Sequence, residues 1–372
     1  MLFPLRVIGI LALFSYIAAA HAGAPAPKPA NAPVGAHPQH QVANLGDFKF
    51  ESGDVVKDFK VSYVTHGKLN KDKSNAILVM HPFLSDHHLL DFLIGPGKAL
   101  DPNRFFIVAT DFIGNSGLQH DITTGPTNSG LKMEFPHYTV LDSVNVEYKL
   151  LKEQLGISRM LCVLGPSIGA MKSYQFAVSY PSFIASAVPI MGSPVTSPRM
   201  RWVLNSAMDI MAMDSGWQGG NYEVNPTGGL VAGLTAWLPY VYTEKYYAEN
   251  LRTPQQQRDF RKVWHGIFTS NDARDVYYQM RMWAAFNIGD SKGFGGNAQA
   301  ALKSIKTPML LLTVKDDLMI SAGEVAFTKS SIPNINHVEM ATASGHEACC
   351  GGDAEVNKIM NREIAAFLAK VK

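Results

Sequence analysis

Met160-Leu161-Cys162-Val163-Leu164-Gly165-Pro166-Ser167-Ile168-Gly169-Ala170-Met171 is the stretch on which the reading of this chain turns. An apolar run of strand character enters Gly165-Pro166-Ser167-Ile168-Gly169, and residues 170–178 leave it with helical character. A sharp strand-to-helix turn lifts a serine hydroxyl clear of the backbone, and flanking glycines leave room for tight packing and close approach of a substrate. Alone, G-x-S-x-G is a weak signal that any glycine-rich loop can imitate. Its position between strand and helix makes Ser167 a candidate nucleophile.

A serine hydroxyl needs a base to take its proton, and the base needs an acid to orient it. Downstream, Thr307-Pro308-Met309-Leu310-Leu311-Leu312-Thr313-Val314 reads as a buried strand ending in Lys315-Asp316-Asp317-Leu318. An acid at the carboxyl end of such a strand faces the active edge of a parallel sheet. Asp316 is taken as that acid ahead of its neighbour Asp317. His337-Val338-Glu339-Met340-Ala341 gives another short strand, followed by a loop that carries His346. The order Ser167, Asp316, His346 is that of the α/β-hydrolase fold, not that of the chymotrypsin or subtilisin folds. Upstream, residues 75–80 form a strand running into His81-Pro82-Phe83. The backbone amides of Phe83 and Ile168 are the expected oxyanion donors, since Pro82 has no N–H.

The expected architecture is a mostly parallel sheet flanked by helices, with a helical lid insertion. Strands are predicted at 76–80, 105–110, 160–164, 185–191, 309–314 and 337–341, and helices at 141–155 and 355–371. Residues 48–66 read as an opening antiparallel hairpin. About one hundred residues separate the strand near Met191 from that at Met309, far too many for a loop. All five tryptophans and six of the sixteen methionines fall there. The expected division is therefore 42–194 and 301–372 for the core and 195–300 for the lid, whose large side chains fill its own interior or line an apolar entrance above Ser167.

The beginning of the chain reads as a targeting segment: Arg6, an apolar stretch over 7–20, and Ala20-His21-Ala22 before Gly23. Residues 1–22 are expected to be a cleavable signal peptide, which places the mature protein in the periplasm or outside the cell. Residues 23–41, rich in proline and alanine, read as an extended linker. Export permits disulfides, but Cys162, Cys349 and Cys350 leave at least one thiol over in a monomer. A bridge from Cys162 to one of the pair, and a vicinal bridge, both stay open.

Thirty-three basic and 31 acidic residues leave a net charge of +2, and basic residues do not cluster with aromatics, which argues against nucleic acid as a partner. Gly293-Phe294-Gly295 follows no strand and no P-loop is present, so no cofactor is expected. His87-His88 with Asp86 lacks the spacing of a known metal site and reads as loop polarity. The partners expected are a small-molecule ester and a second copy of the chain, docked through the apolar lid.

From about Phe48 onward the chain resembles the homoserine O-acetyltransferase family. Val61-Ser62-Tyr63-Val64-Thr65-His66-Gly67-Lys68-Leu69-Asn70 is similar to its opening hairpin, Thr124-Gly125-Pro126-Thr127-Asn128-Ser129 to its Thr-Gly-Pro loop, Trp217-Gln218-Gly219-Gly220-Asn221-Tyr222 to a lid motif, and Ser344-Gly345-His346-Glu347-Ala348 to its histidine loop. The resemblance implies acyl transfer through Ser167, with Asp316, two before Leu318, as the acid. It also exposes two departures. The family's Gly-Gly-Ser-Met-Gly-Gly is Gly165-Pro166-Ser167-Ile168-Gly169-Ala170 here, and Met208 stands where the resemblance places an arginine that pairs with the amino acid's carboxylate. A thioether cannot make that bidentate contact. An esterase is therefore the leading expectation and an acyltransferase the alternative.

Overall fold

The computed structural model describes residues 39–114 and 123–371. The expected signal peptide and nearly all of the expected linker lie outside the described residues. Eight strands form the main sheet: β1 (Gln41–Asn44), β4 (Lys60–His66), β5 (Ala76–Met80), β6 (Phe106–Thr110), β7 (Cys162–Pro166), β8 (Ala187–Ile190), β9 (Met309–Val314) and β10 (Ile335–Met340). Their order is β1-β4-β6-β5-β7-β8-β9-β10. From β6 to β10 neighbours run parallel, and the antiparallel pairs are β1 with β4 and β4 with β6. Strands β5, β7, β8 and β9 are buried at every position, as expected of strands covered on both faces.

The opening hairpin is a correction. Strands β2 (Phe48–Lys49) and β3 (Val55–Val56) make a small ribbon of their own. Lys60–His66 instead pairs with Gln41–Asn44 on one side and β6 on the other. The reason is burial: Val61, Ser62, Tyr63 and Val64 are all buried, which an interior strand requires. The helix predicted over 141–155 is α-helical at Val140–Lys149, with Thr139 and Asp142 forming a capping box, and finishes as a π turn at Leu150–Gln154.

Between β8 and β9 the chain forms helices at Pro198–Ala212, Thr227–Trp237, Glu244–Asn250, Pro254–Thr269, Ala273–Ala285 and Ala298–Ser304. Two motifs carried by the resemblance meet here. Thr127 Oγ1 donates to Asp272 Oδ1 (2.7 Å) and the Thr127 amide to Asp275 Oδ1 (3.1 Å). Tyr222 Oη also donates to Asp272 (2.7 Å), while Arg274 donates through Nε to the Gly220 carbonyl (2.7 Å) and lies over the Tyr222 ring. The Thr127 loop therefore braces the helical segment against the core, while the 217–222 motif ties two parts of that segment together. Asp272, Arg274 and Asp275, which complete the brace, carry no local motif. Burial first, then Asp272 beside it, pushes the Asp275 carboxyl up to about 7.

Candidate active site

Ser167 sits at the tip of the turn between β7 and the helix Ile168–Ser179, with φ 54° and ψ −113°. A non-glycine residue held at positive φ costs on the order of 1–3 kcal/mol and persists where the surroundings over-determine it. Here they do. A Cβ on either Gly165 or Gly169 would lie 2.3 Å from the Met80 carbonyl oxygen, so β5 and the turn close on each other only because both positions are glycine. The Ser167 amide donates to the Ile190 carbonyl (2.9 Å), which ties the turn to β8.

His346, in the short 3-10 helix Gly345–Cys350, places Nε2 3.0 Å from Ser167 Oγ and Nδ1 2.9 Å from Asp317 Oδ2. Asp317, not Asp316, therefore partners the histidine. The physical reason lies in the turn after β9: Asp316 adopts φ 63° and is exposed, which sends the following side chain inward, where Asp317 is buried. Asp317 Oδ1 also accepts the amides of Met319 (2.8 Å) and Ile320 (3.1 Å), fixing the carboxylate in place. Burial alone would lower the His346 pKa, but the Asp317 carboxylate outweighs it and holds the imidazolium up to about 9.

The loop after β5 is set by His81. Phe112 donates its amide to His81 Nε2 (3.2 Å), so the proton resides on Nδ1, which donates to the Pro82 carbonyl (2.8 Å). Burial pushes His81 down to about 4, consistent with a neutral ring stacked on Phe112 at 3.9 Å. Phe83 follows on the wall of the cavity that holds Ser167. Ile168 opens its helix, so its amide is one of the first-turn donors with no intrahelical acceptor.

That cavity is narrow, about 60 Å³, and is roofed by Trp237, Trp264, Ile267 and Trp283, so these large side chains line an entrance as well as a core. Phe83 meets Trp237 and Trp283 at centroid distances of 5.6 and 5.8 Å. Among the described residues that line it there is no lysine or arginine. Its one acidic side chain is Glu347, whose carboxyl burial pushes up to about 7 against the opposing effect of His346. Met208 is buried in the hydrophobic core, and Arg201 donates to the Ala284 carbonyl (2.9 Å) and lines a different cleft. Two larger clefts, of about 300 and 500 Å³, share Arg281, Ala285, Asn287 and Asp290 but contain none of Ser167, Asp317 and His346. Chemistry, not size, locates the site. Cys349 and Cys350 stand on the cavity wall with sulfurs 3.0 Å apart, and all three cysteines are free thiols.

Lys172, one turn into the helix after Ser167, is fully buried and paired with Glu147, which also accepts from Thr110 Oγ1 (2.8 Å). Sequence reasoning missed this pair, because neither residue carries a local signal of burial.

Comparison with known proteins agrees with this geometry. No family model matches the chain. A homoserine O-acetyltransferase from Rhodopseudomonas palustris (strain BisB18) is 35% identical over 351 residues, covering 84% of this chain and 87% of the relative. A homoserine O-acetyltransferase from Methanohalophilus mahii is 36% identical over 345 residues, covering 84% and 70%. Among solved structures, esterase E22 superposes with a TM-score of 0.80 at 26% identity, covering 89% of this chain and 100% of that one. With an α/β-hydrolase sheet and relatives that are enzymes of acyl transfer and ester hydrolysis, the chain belongs to the homoserine O-acetyltransferase family.

Proposed function

We propose that this protein is an exported serine esterase for small acyl groups. Ser167 Oγ attacks the acyl carbon as its proton passes to His346 Nε2. Asp317 holds the other face of the ring and stabilises the imidazolium, while the amides of Phe83 and Ile168 take the oxyanion. The imidazolium returns its proton to the departing alkoxide, leaving acyl-Ser167. Water then attacks this ester, giving its proton to His346, and the acid leaves as Ser167 regains its hydrogen.

The observation that carries hydrolysis over transfer to homoserine is the cavity wall. Among the described residues that line it, no lysine or arginine is offered to pair with an amino acid's carboxylate. A cavity of about 60 Å³, well below the ~300–1,000 Å³ of sites for larger ligands, suits an acyl chain of a few carbons. Transfer to an alcohol remains the second reading, favoured by the 35% and 36% identical acetyltransferases. Product analysis of p-nitrophenyl acetate turnover with homoserine present separates the two. Acetate alone, lost in Ser167→Ala, is expected; O-acetylhomoserine above the uncatalysed background establishes the transferase.

Export rests on residues 1–22, and N-terminal sequencing of protein from the producing cell is expected to begin at Gly23. No helix among the described residues is long and apolar enough to cross a membrane. Pairing of two copies through the lid is supported by Trp202 and Met213, 76% and 81% exposed at one end or the other of the helix Pro198–Ala212. Trp202→Glu is expected to shift a dimer to monomer in light scattering, and a wild-type monomer rules the pairing out.

A further inference from the structure

The loop that carries Phe83 also carries His87 and His88, and His40, immediately before β1, packs against both. His40 Nε2 lies 3.1 Å from His88 Nε2 and 3.2 Å from His87 Nε2. One ring nitrogen from each of the three lies within 4.8 Å of the others. Two imidazole donors on one tetrahedral zinc, each about 2.0–2.1 Å from the metal, stand roughly 3.3–3.4 Å apart. The spacing here is close to that.

The far side of each ring matters as much. His87 Nδ1 lies 2.9 and 2.8 Å from the two oxygens of Asp111, which also accepts the His87 amide at 3.0 Å. His88 Nδ1 lies 3.4 Å from Asp91 Oδ2. A carboxylate at Nδ1 holds a proton there and turns Nε2 outward, the support that metal-bound histidines commonly receive. Both Nε2 atoms face His40 Nε2, at 3.2 and 3.1 Å. A divalent cation serves all three nitrogens at once. Three imidazoles favour zinc and its neighbours in the transition series over calcium or magnesium, which take oxygen.

We propose that His40, His87 and His88 form a tris-imidazole site for a divalent transition metal of the zinc type, with a fourth position for water. The site joins the segment leading into β1 to the loop whose Leu84, Ser85 and Leu89 line the Ser167 cavity, so a bound ion would clamp that loop from behind. Adjacency of His87 and His88 alone does not suggest this, because the third ligand lies 47 residues away.

Chelator-treated, dialysed protein titrated calorimetrically with Zn²⁺ tests it. Saturation at one ion per chain and a higher melting temperature are expected, with binding by His40→Ala weaker by about tenfold or more. Equal affinity in the wild type and His40→Ala overturns the proposal, as does the absence of saturable binding. Should the variant fail to fold, Co²⁺ added to the wild type decides: the visible absorption of a tetrahedral nitrogen-ligated ion is expected, and an octahedral aquo-like spectrum shows that the nitrogens share a proton instead.

Discussion

His346 Nδ1 meets Asp317 Oδ2 at 2.9 Å, whereas Asp316, adjacent in the chain, faces solvent at φ 63°. The carboxylate on the ring determines which tautomer presents a lone pair to Ser167 Oγ, so the identity of the acid decides whether the proposed base works.

Asp317→Asn keeps the shape of the site but favours the wrong tautomer, and a loss of kcat on the order of 10³–10⁴ is expected. Asp316→Asn, at an exposed turn, is expected to stay near wild type. Steady-state hydrolysis of p-nitrophenyl acetate by the two variants compares them directly, and the reverse ranking would reinstate Asp316.

The acid limb of the pH profile follows from the upward shift of His346. The neutral ring is the base, so kcat/KM should rise with pH through a pKa above the ordinary histidine value of ~6.5, toward about 9. In Asp317→Asn the carboxylate that raises it is gone while burial remains, so the residual activity should show the limb displaced to lower pH. A limb that does not move between the two proteins would dissociate it from His346.

Lys172 and Glu147 test what lies beneath the turn. Burial pushes Lys172 down and Glu147 up, and their mutual attraction opposes both shifts. Removing one partner leaves a buried charge without its counterion, so Glu147→Leu should cost about 3–5 kcal/mol in urea unfolding, while Glu147→Leu with Lys172→Met should recover most of the loss. A loss in the double variant equal to the sum of the losses in Glu147→Leu and Lys172→Met would mean that the pair is not coupled.

Trp237 lines the cavity that holds Ser167. Trp237→Ala removes a wall that packs edge-on to Phe83 and Trp283, at 5.6 and 6.5 Å. The ratio of kcat/KM for butyrate over acetate esters should rise by about tenfold, the scale on which one or two methylenes are read by an apolar pocket. An unchanged ratio would place the acyl group elsewhere.

What the sequence by itself determined is local. Continuous apolar runs such as residues 76–80 and 309–314 had to become buried parallel strands. Gly165 and Gly169 around Ser167 had to form a tight turn, and the loop at His346 was recognisable from its neighbours. The tertiary structure decided whatever depends on side-chain direction or on distant partners. Whether Asp316 or Asp317 points inward hangs on one backbone torsion after Val314, to which residue type is blind. That Lys60–His66 pairs with Gln41–Asn44 and β6 follows from burying that strand inside a sheet, which a short-range hairpin pattern does not predict. The brace of Thr127, Tyr222, Asp272 and Arg274 and the meeting of His40 with His87 and His88 join residues tens of positions apart. Polar side chains have no periodicity that marks them as partners, and only the packing of the sheet, the helical segment and the chain leading into β1 brings them together.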